Sequence, residues 1–100
     1  MKKKLVPITV YTAMGNGPGV LDFVCNKYLV EDGFTLTFKD NKDGYPLAQA
    51  LFEFDYVKRV AFDKNIISIT KGKDVEWYEV TMELREFIRN YLMHSKPVVA

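Results

Sequence analysis

Apolar and polar positions alternate along the first part of this chain. Leu5 to Thr12 is rich in β-formers, with Val6, Ile8 and Val10 on one side, and Leu21, Phe23 and Cys25 alternate with Asp22, Val24 and Asn26. Both stretches predict strands, because residues two apart share a sheet face. Phe34, Leu36 and Phe38 alternate with Thr35 and Thr37, and Asp32-Gly33 supplies a tight turn into this third run, so a hairpin is expected there. The period then changes. Pro46 suits a first helical turn, where its missing N–H is no loss, and Leu47, Ala50 and Leu51 recur at the spacing of one buried helix face. Val57 to Phe62 and Ile66 to Lys71 flank the polar turn Asp63-Lys64-Asn65 and predict a second hairpin. From Val75 to Met93, Trp77, Val80, Leu84, Phe87, Ile88 and Tyr91 repeat at three- and four-residue spacing. This predicts a long amphipathic helix with Asp74 as N-cap and Glu76 favourably placed near the positive end of its dipole. Trp77 is expected in the core.

The reading is an α+β fold of order ββ(β)αββα, an antiparallel sheet of four to five strands with two helices packed on one face. A chain of 100 residues holds one hydrophobic core, so residues 1–100 are read as a single domain. A net charge of +1 with 27% charged residues gives neither the basic excess of a nucleic-acid binder nor the acidity of a solvating tail. Lys2-Lys3-Lys4 reads as a solvated terminus. Leu5 to Val10 is too short for the apolar core of a signal peptide, and no apolar run reaches the roughly 20 residues of a membrane span. One cysteine, Cys25, excludes an intramolecular disulfide and fits a reducing compartment, with the cytoplasm as the expected location.

Few residues offer chemistry. Gly15-Asn16-Gly17-Pro18-Gly19 follows a strand as a dinucleotide loop does, but Val20 stands where the fingerprint needs its third glycine and the next residues alternate like a strand. A flexible connection is expected, with no nucleotide bound. Cys25 is a weak metal candidate; it shares a strand face with Leu21 and Phe23, which suits a small core residue. His94 has no second histidine or cysteine at ligand spacing and is expected at the surface. Glu53 and Asp55 are a close carboxylate pair without a histidine, serine or lysine constellation around them, which leaves no catalytic residue and no enzyme. Phe52, Phe54 and Tyr56 offer an aromatic patch for a partner, with Phe52 the most core-like of the three.

The run Pro46-Leu47-Ala48-Gln49-Ala50-Leu51-Phe52-Glu53, then Val57-Lys58-Arg59-Val60, Ile66 to Lys71, Trp77 and the closing Lys96-Pro97-Val98-Val99 resembles the N-terminal domain of Nfu/NifU-type iron–sulfur scaffold proteins. The resemblance extends from about Pro7 to Val99. The early loop departs from the family's "TPNP": anchored on Phe23, the chain keeps Pro18, has Gly15, Asn16 and Gly17 for the other three, and has Asp22 in place of a lysine.

The resemblance implies a non-catalytic accessory or protein-interaction module in iron–sulfur cluster assembly or delivery. It implies that the cluster belongs to the full-length family or its partners, bound through a C-terminal Cys-x-x-Cys domain that this chain does not include, with no cofactor held here. The expected partners are iron–sulfur assembly proteins or apo-protein clients, with no nucleic acid and no membrane, and the chain is expected to be a monomer. Asn16, Pro18, Asp22, Phe54 and Tyr56 are the candidate partner-binding residues. The alternative is a small-ligand or metal-binding protein that uses the glycine loop 15–19 and Cys25.

Overall fold

The computed structural model describes residues 7–100; Lys2-Lys3-Lys4, Leu5 and Val6 lie outside them. Five strands and two helices follow in the order β1 (Val10–Met14), β2 (Val20–Cys25), β3 (Phe34–Thr37), α1 (Pro46–Leu51), β4 (Val57–Asp63), β5 (Ile66–Lys71) and α2 (Trp77–Met93). They form one antiparallel sheet with spatial order β1-β2-β5-β4-β3. The α+β architecture and element order are those expected from the alternation, and the strand number is five.

The pairing of β3 is not the expected one. β2 lies between β1 and β5, so no side of it is free for a hairpin with β3, which pairs with β4 on the far edge. The chain after Cys25 crosses the β4–β5 turn, where the Lys64 carbonyl accepts from the N–H groups of Leu29 (2.8 Å) and Val30 (3.3 Å), and Lys64 Nζ donates to the Glu31 carbonyl (3.1 Å). Asn65 holds the same crossing, its side-chain amide donating to the Cys25 carbonyl at 2.9 Å. Asp32-Gly33 therefore ends a crossover rather than a tight turn. A side chain at Gly33 would stand 3.0 Å from the Phe62 carbonyl oxygen as the chain enters β3. Phe38 falls outside the strand and is 54% exposed.

Register separates the residues of the sheet cleanly. Val10, Phe23, Cys25, Ile67, Ile69, Val60 and Phe62 are buried on the helix-covered face, with Leu47, Ala48 and Leu51 from α1 and Val80, Leu84, Ile88 and Leu92 from α2. Ala50, expected in that core, is only half-buried, and Ala48 takes its place. Trp77 is half-buried too, meeting Phe23 edge-on at 6.3 Å between ring centroids, because it is the first residue of α2 and sits at the rim of the sheet. The N-cap is Glu76, not Asp74: the Glu76 N–H donates to Glu79 Oε1 at 2.8 Å, which ties down the first turn two residues later than the composition suggests.

Candidate partner-binding site

Phe54 and Tyr56 lie in the short link between α1 and β4, and α1 ends there because Phe52 closes onto the Ala48 carbonyl and the chain must turn into the sheet. Their rings pack at 5.7 Å. Phe54 also meets Phe87 edge-on at 5.3 Å, and Phe87 lies 6.3 Å from Tyr91 one turn further along α2. The four rings thus form a half-buried row along the cleft between the α1 end and α2. Tyr56 is fixed by its hydroxyl, which donates to Glu83 Oε1 at 2.7 Å; burial first, and that carboxylate second, push its pKa well above the usual tyrosine value. The Tyr91 hydroxyl donates to the Pro97 carbonyl at 2.7 Å, which folds the tail after α2 back over the helix, and burial raises its pKa as well.

At the Tyr91 end the row opens into a hollow of about 430 Å³ lined by Ala50, Glu53, Phe87, Asn90, Tyr91, His94 and Lys96. Its apolar part is the Ala50 methyl and the two rings. Its polar groups are placed by the helix terminus. His94 Nδ1 lies 2.8 Å from the Asn90 carbonyl, and since a carbonyl can only accept, Nδ1 carries the hydrogen and Nε2 of the neutral ring is the acceptor. Lys96 Nζ stands 5.5 Å from the Tyr91 ring centroid, a cation held over an aromatic face. An apolar floor with a few directional polar groups at its edge is the usual form of a recognition pocket.

The sequence candidates divide between two faces. Phe54 and Tyr56 belong to the aromatic row. Asn16 lies across the sheet, beside a shallow hollow of about 240 Å³ on the uncovered face with Val20, Thr35, Arg59, Ala61, Ser68 and Thr70. Asp22 faces the same side and accepts a 2.6 Å hydrogen bond from the Ser68 hydroxyl, so its carboxylate is occupied within the sheet. Pro18 is exposed in the β1–β2 loop. That loop is a hairpin connection, closed by Gly15 N–H to the Val20 carbonyl (3.2 Å) and Val20 N–H to the Gly17 carbonyl (3.1 Å).

Glu53 and Asp55 do not act together. Glu53 lines the α1–α2 hollow, whereas Asp55 lines a separate one of about 280 Å³ with Tyr56, Lys58, Gly72, Asp74 and Val75. Ala50, Phe87, Asn90, Tyr91 and His94 escaped the sequence reading as site residues. Phe87 and Tyr91 continue the apolar stripe of α2, and nothing in the spacing says that this edge of the stripe meets the cleft rather than the core.

Comparison with known proteins bears on this geometry. The family model for the N-terminal part of the scaffold protein Nfu/NifU matches residues 10–95. The chain belongs to this Nfu/NifU N-terminal family. A NifU-like protein of Schizosaccharomyces pombe is 36% identical over 55 residues, a stretch that covers 55% of this chain and 21% of that protein. The match to the family spans β1 through α2 and so includes every residue that lines the hollow except Lys96.

Among the described residues, the groups present do not fit an iron–sulfur cluster, which takes about four thiolates. Cys25 is 2% exposed, and burial pushes its thiol from 9.0 up to about 11, so it is a protonated packing residue. No group of three or more His, Cys, Asp or Glu is placed to hold a metal ion among them. Cys25 and the glycine loop also stand at opposite ends of β2 and share no site. No helix of the described residues is long and apolar enough to cross a membrane.

Proposed function

We propose that this Nfu/NifU N-terminal domain is a non-catalytic interaction module in iron–sulfur cluster assembly and delivery, and that the α1–α2 cleft is its recognition surface. The observation that carries this reading is the hollow at the end of the Phe54–Phe87–Tyr91 row, within a chain that belongs to a scaffold family. The chemistry of the hollow suits a segment of an assembly protein or apo-protein client with a large apolar anchor beside a carboxylate. The anchor packs on Phe87, Tyr91 and Ala50, the carboxylate faces Lys96, and the outer nitrogen of His94 accepts from a donor of the same segment. Glu53 on the opposite rim accepts from a donor of the same segment. Burial of an aromatic or aliphatic anchor in such a pocket is where most interface energy concentrates. The free, buried thiol of Cys25 supports a reducing compartment, the cytoplasm.

Titration of the isotope-labelled domain with purified iron–sulfur assembly proteins and apo-clients tests the reading. Saturable amide shifts at Ala50, Phe87, Asn90 and Tyr91 are the expected result. Absence of shifts with every such protein overturns the function. Shifts confined to the uncovered sheet face overturn the assignment of the site.

A further inference from the structure

The two edges of the sheet are treated differently. On β3, the hydrogen bond from Phe38 N–H to the Lys58 carbonyl (3.1 Å) continues the register in which Leu36 and Phe34 bond to β4, so Thr35 and Thr37 turn their backbone groups outward. Asp40 closes the end of that edge. Its Oδ2 accepts from Thr37 N–H at 2.7 Å, and its own N–H donates to the Thr37 carbonyl at 3.0 Å. Bonding to the Thr37 backbone holds the Asp40 carboxyl below its usual pKa.

On β1 nothing comparable is found among the described residues. The bonds Asn26 N–H to the Thr9 carbonyl and Gly15 N–H to the Val20 carbonyl fix which residues of β1 face β2: Tyr11 and Ala13 bond inward, while Val10, Thr12 and Met14 turn N–H and C=O away from the sheet. Val10–Met14 carries no charge, proline or bulge, the devices that usually block an open edge. Large apolar side chains crowd around it. Tyr11 is 62% exposed and Met14 92%. Tyr78, Met82, Arg85 and Arg89 recur on one stripe of α2, and Arg85 and Arg89 of that stripe border Ile8 to Val10. The start of α2 lies further along the edge, since Trp77 rests on Phe23, the register partner of Thr12.

We propose that a second copy of this chain pairs with this edge, β1 against β1 in antiparallel register about a two-fold axis at Thr12, joining the two sheets into one. The arrangement is self-complementary. Thr12 opposes Thr12 and Val10 opposes Met14 of the other copy, so every outward N–H and C=O of Val10, Thr12 and Met14 meets its counterpart. Reversal about the axis also sets the exposed Tyr78 and Met82 of one copy toward Arg85 and Arg89 of the other; within one copy the two guanidinium groups share the Glu86 carboxylate, at 3.8 and 3.6 Å, and Arg85 also donates to Met82 Sδ at 3.3 Å. Guanidinium groups favour aromatic faces and thioethers fill irregular gaps, so the reversed stripes suit each other.

Sedimentation of the whole chain from micromolar to submillimolar concentration tests the proposal, together with two substitutions at an exposed position. Thr12→Lys places like charges opposite each other on the axis and should weaken association at least tenfold, with an unchanged melting temperature at concentrations where both proteins are monomeric. Thr12→Cys should form a disulfide-linked dimer under mild oxidation, because residues facing each other in a hydrogen-bonded antiparallel pair have Cα atoms about 5.5 Å apart, within disulfide range. Ala13→Cys, off the axis, should not. A chain that stays monomeric with no preferential crosslinking at Thr12, a dimer indifferent to Thr12→Lys, or a monomer whose edge instead takes a strand of another protein overturns the proposal.

Discussion

Trp77 offers a sharp test of the packing, because its ring and its N–H make opposing contributions. The indole rests edge-on against Phe23 at the start of α2, half-buried, while Nε1 is fully buried without a hydrogen-bond partner. Trp77→Ala removes the ring. Complete truncation of a buried Phe or Trp costs about 3 to 5 kcal/mol, and partial exposure brings the expectation here to about 2 to 3. Trp77→Phe keeps an aromatic ring on Phe23 but shortens it, losing burial worth ~1 to 2 kcal/mol at ~0.8 per CH2-sized group. It also removes an unsatisfied buried donor, whose desolvation costs about 1 to 3 kcal/mol. The two effects nearly cancel, so Trp77→Phe should lie within about 1 kcal/mol of the parent. Urea denaturation of the three proteins, with m-values compared, measures this directly. A loss for Trp77→Phe as large as for Trp77→Ala would show that the N–H makes a stabilising bond, and the reasoning would fail.

Other consequences are as direct. The folded pKa of Cys25 lies above its unfolded value, so its contribution to stability is complete below pH 9.0 and is lost as pH rises through about 11. Tyr56 and Tyr91 are raised as well, so the test is the difference between wild type and Cys25→Ala: the variant should be less stable at neutral pH, and the gap should narrow by on the order of 2 kcal/mol across that window. A constant gap would mean that the thiol is not buried. Gly15→Ala places a Cβ 2.8 Å from the Val20 carbonyl oxygen and should cost about 1 to 3 kcal/mol, whereas Gly19→Ala, with 3.8 Å to its nearest neighbour, should cost under about 0.5 by thermal melting. Tyr56→Phe deletes the hydroxyl bonded to Glu83 and should cost about 0.5 to 1.5 kcal/mol; no loss in denaturation would detach Tyr56 from α2.

Local patterns carried most of the fold into the sequence, and long-range choices were lost. The alternation in Leu21 to Cys25 and the three-four spacing in Val80 to Leu92 name both the element and its buried face. Each depends only on neighbours along the chain. The partner of β3 depends instead on Lys64 and Asn65 holding the crossing segment, contacts between residues tens of positions apart that leave no periodic trace. The N-cap was misplaced because Asp74 is the better capping residue by type, while Glu79 reaches back to Glu76 and fixes the start later. The site was half legible. Phe54 and Tyr56 stand out as aromatics in a short polar link, but Phe87 and Tyr91 are hidden in a helix stripe that serves the core and the cleft together.

The cleft assignment is the central claim, and one comparison of affinities tests it most directly. Lys96 and Arg59 are both exposed, Lys96 at the cleft and Arg59 on the uncovered sheet face, so charge reversal at either leaves the core intact. The dissociation constant of the domain for an iron–sulfur assembly protein or client that it binds should rise at least tenfold for Lys96→Glu, a loss of about 1.4 kcal/mol, and stay within about twofold for Arg59→Glu. The opposite ranking, with Arg59→Glu disabling binding and Lys96→Glu harmless, would contradict the account and move recognition to the other side of the sheet.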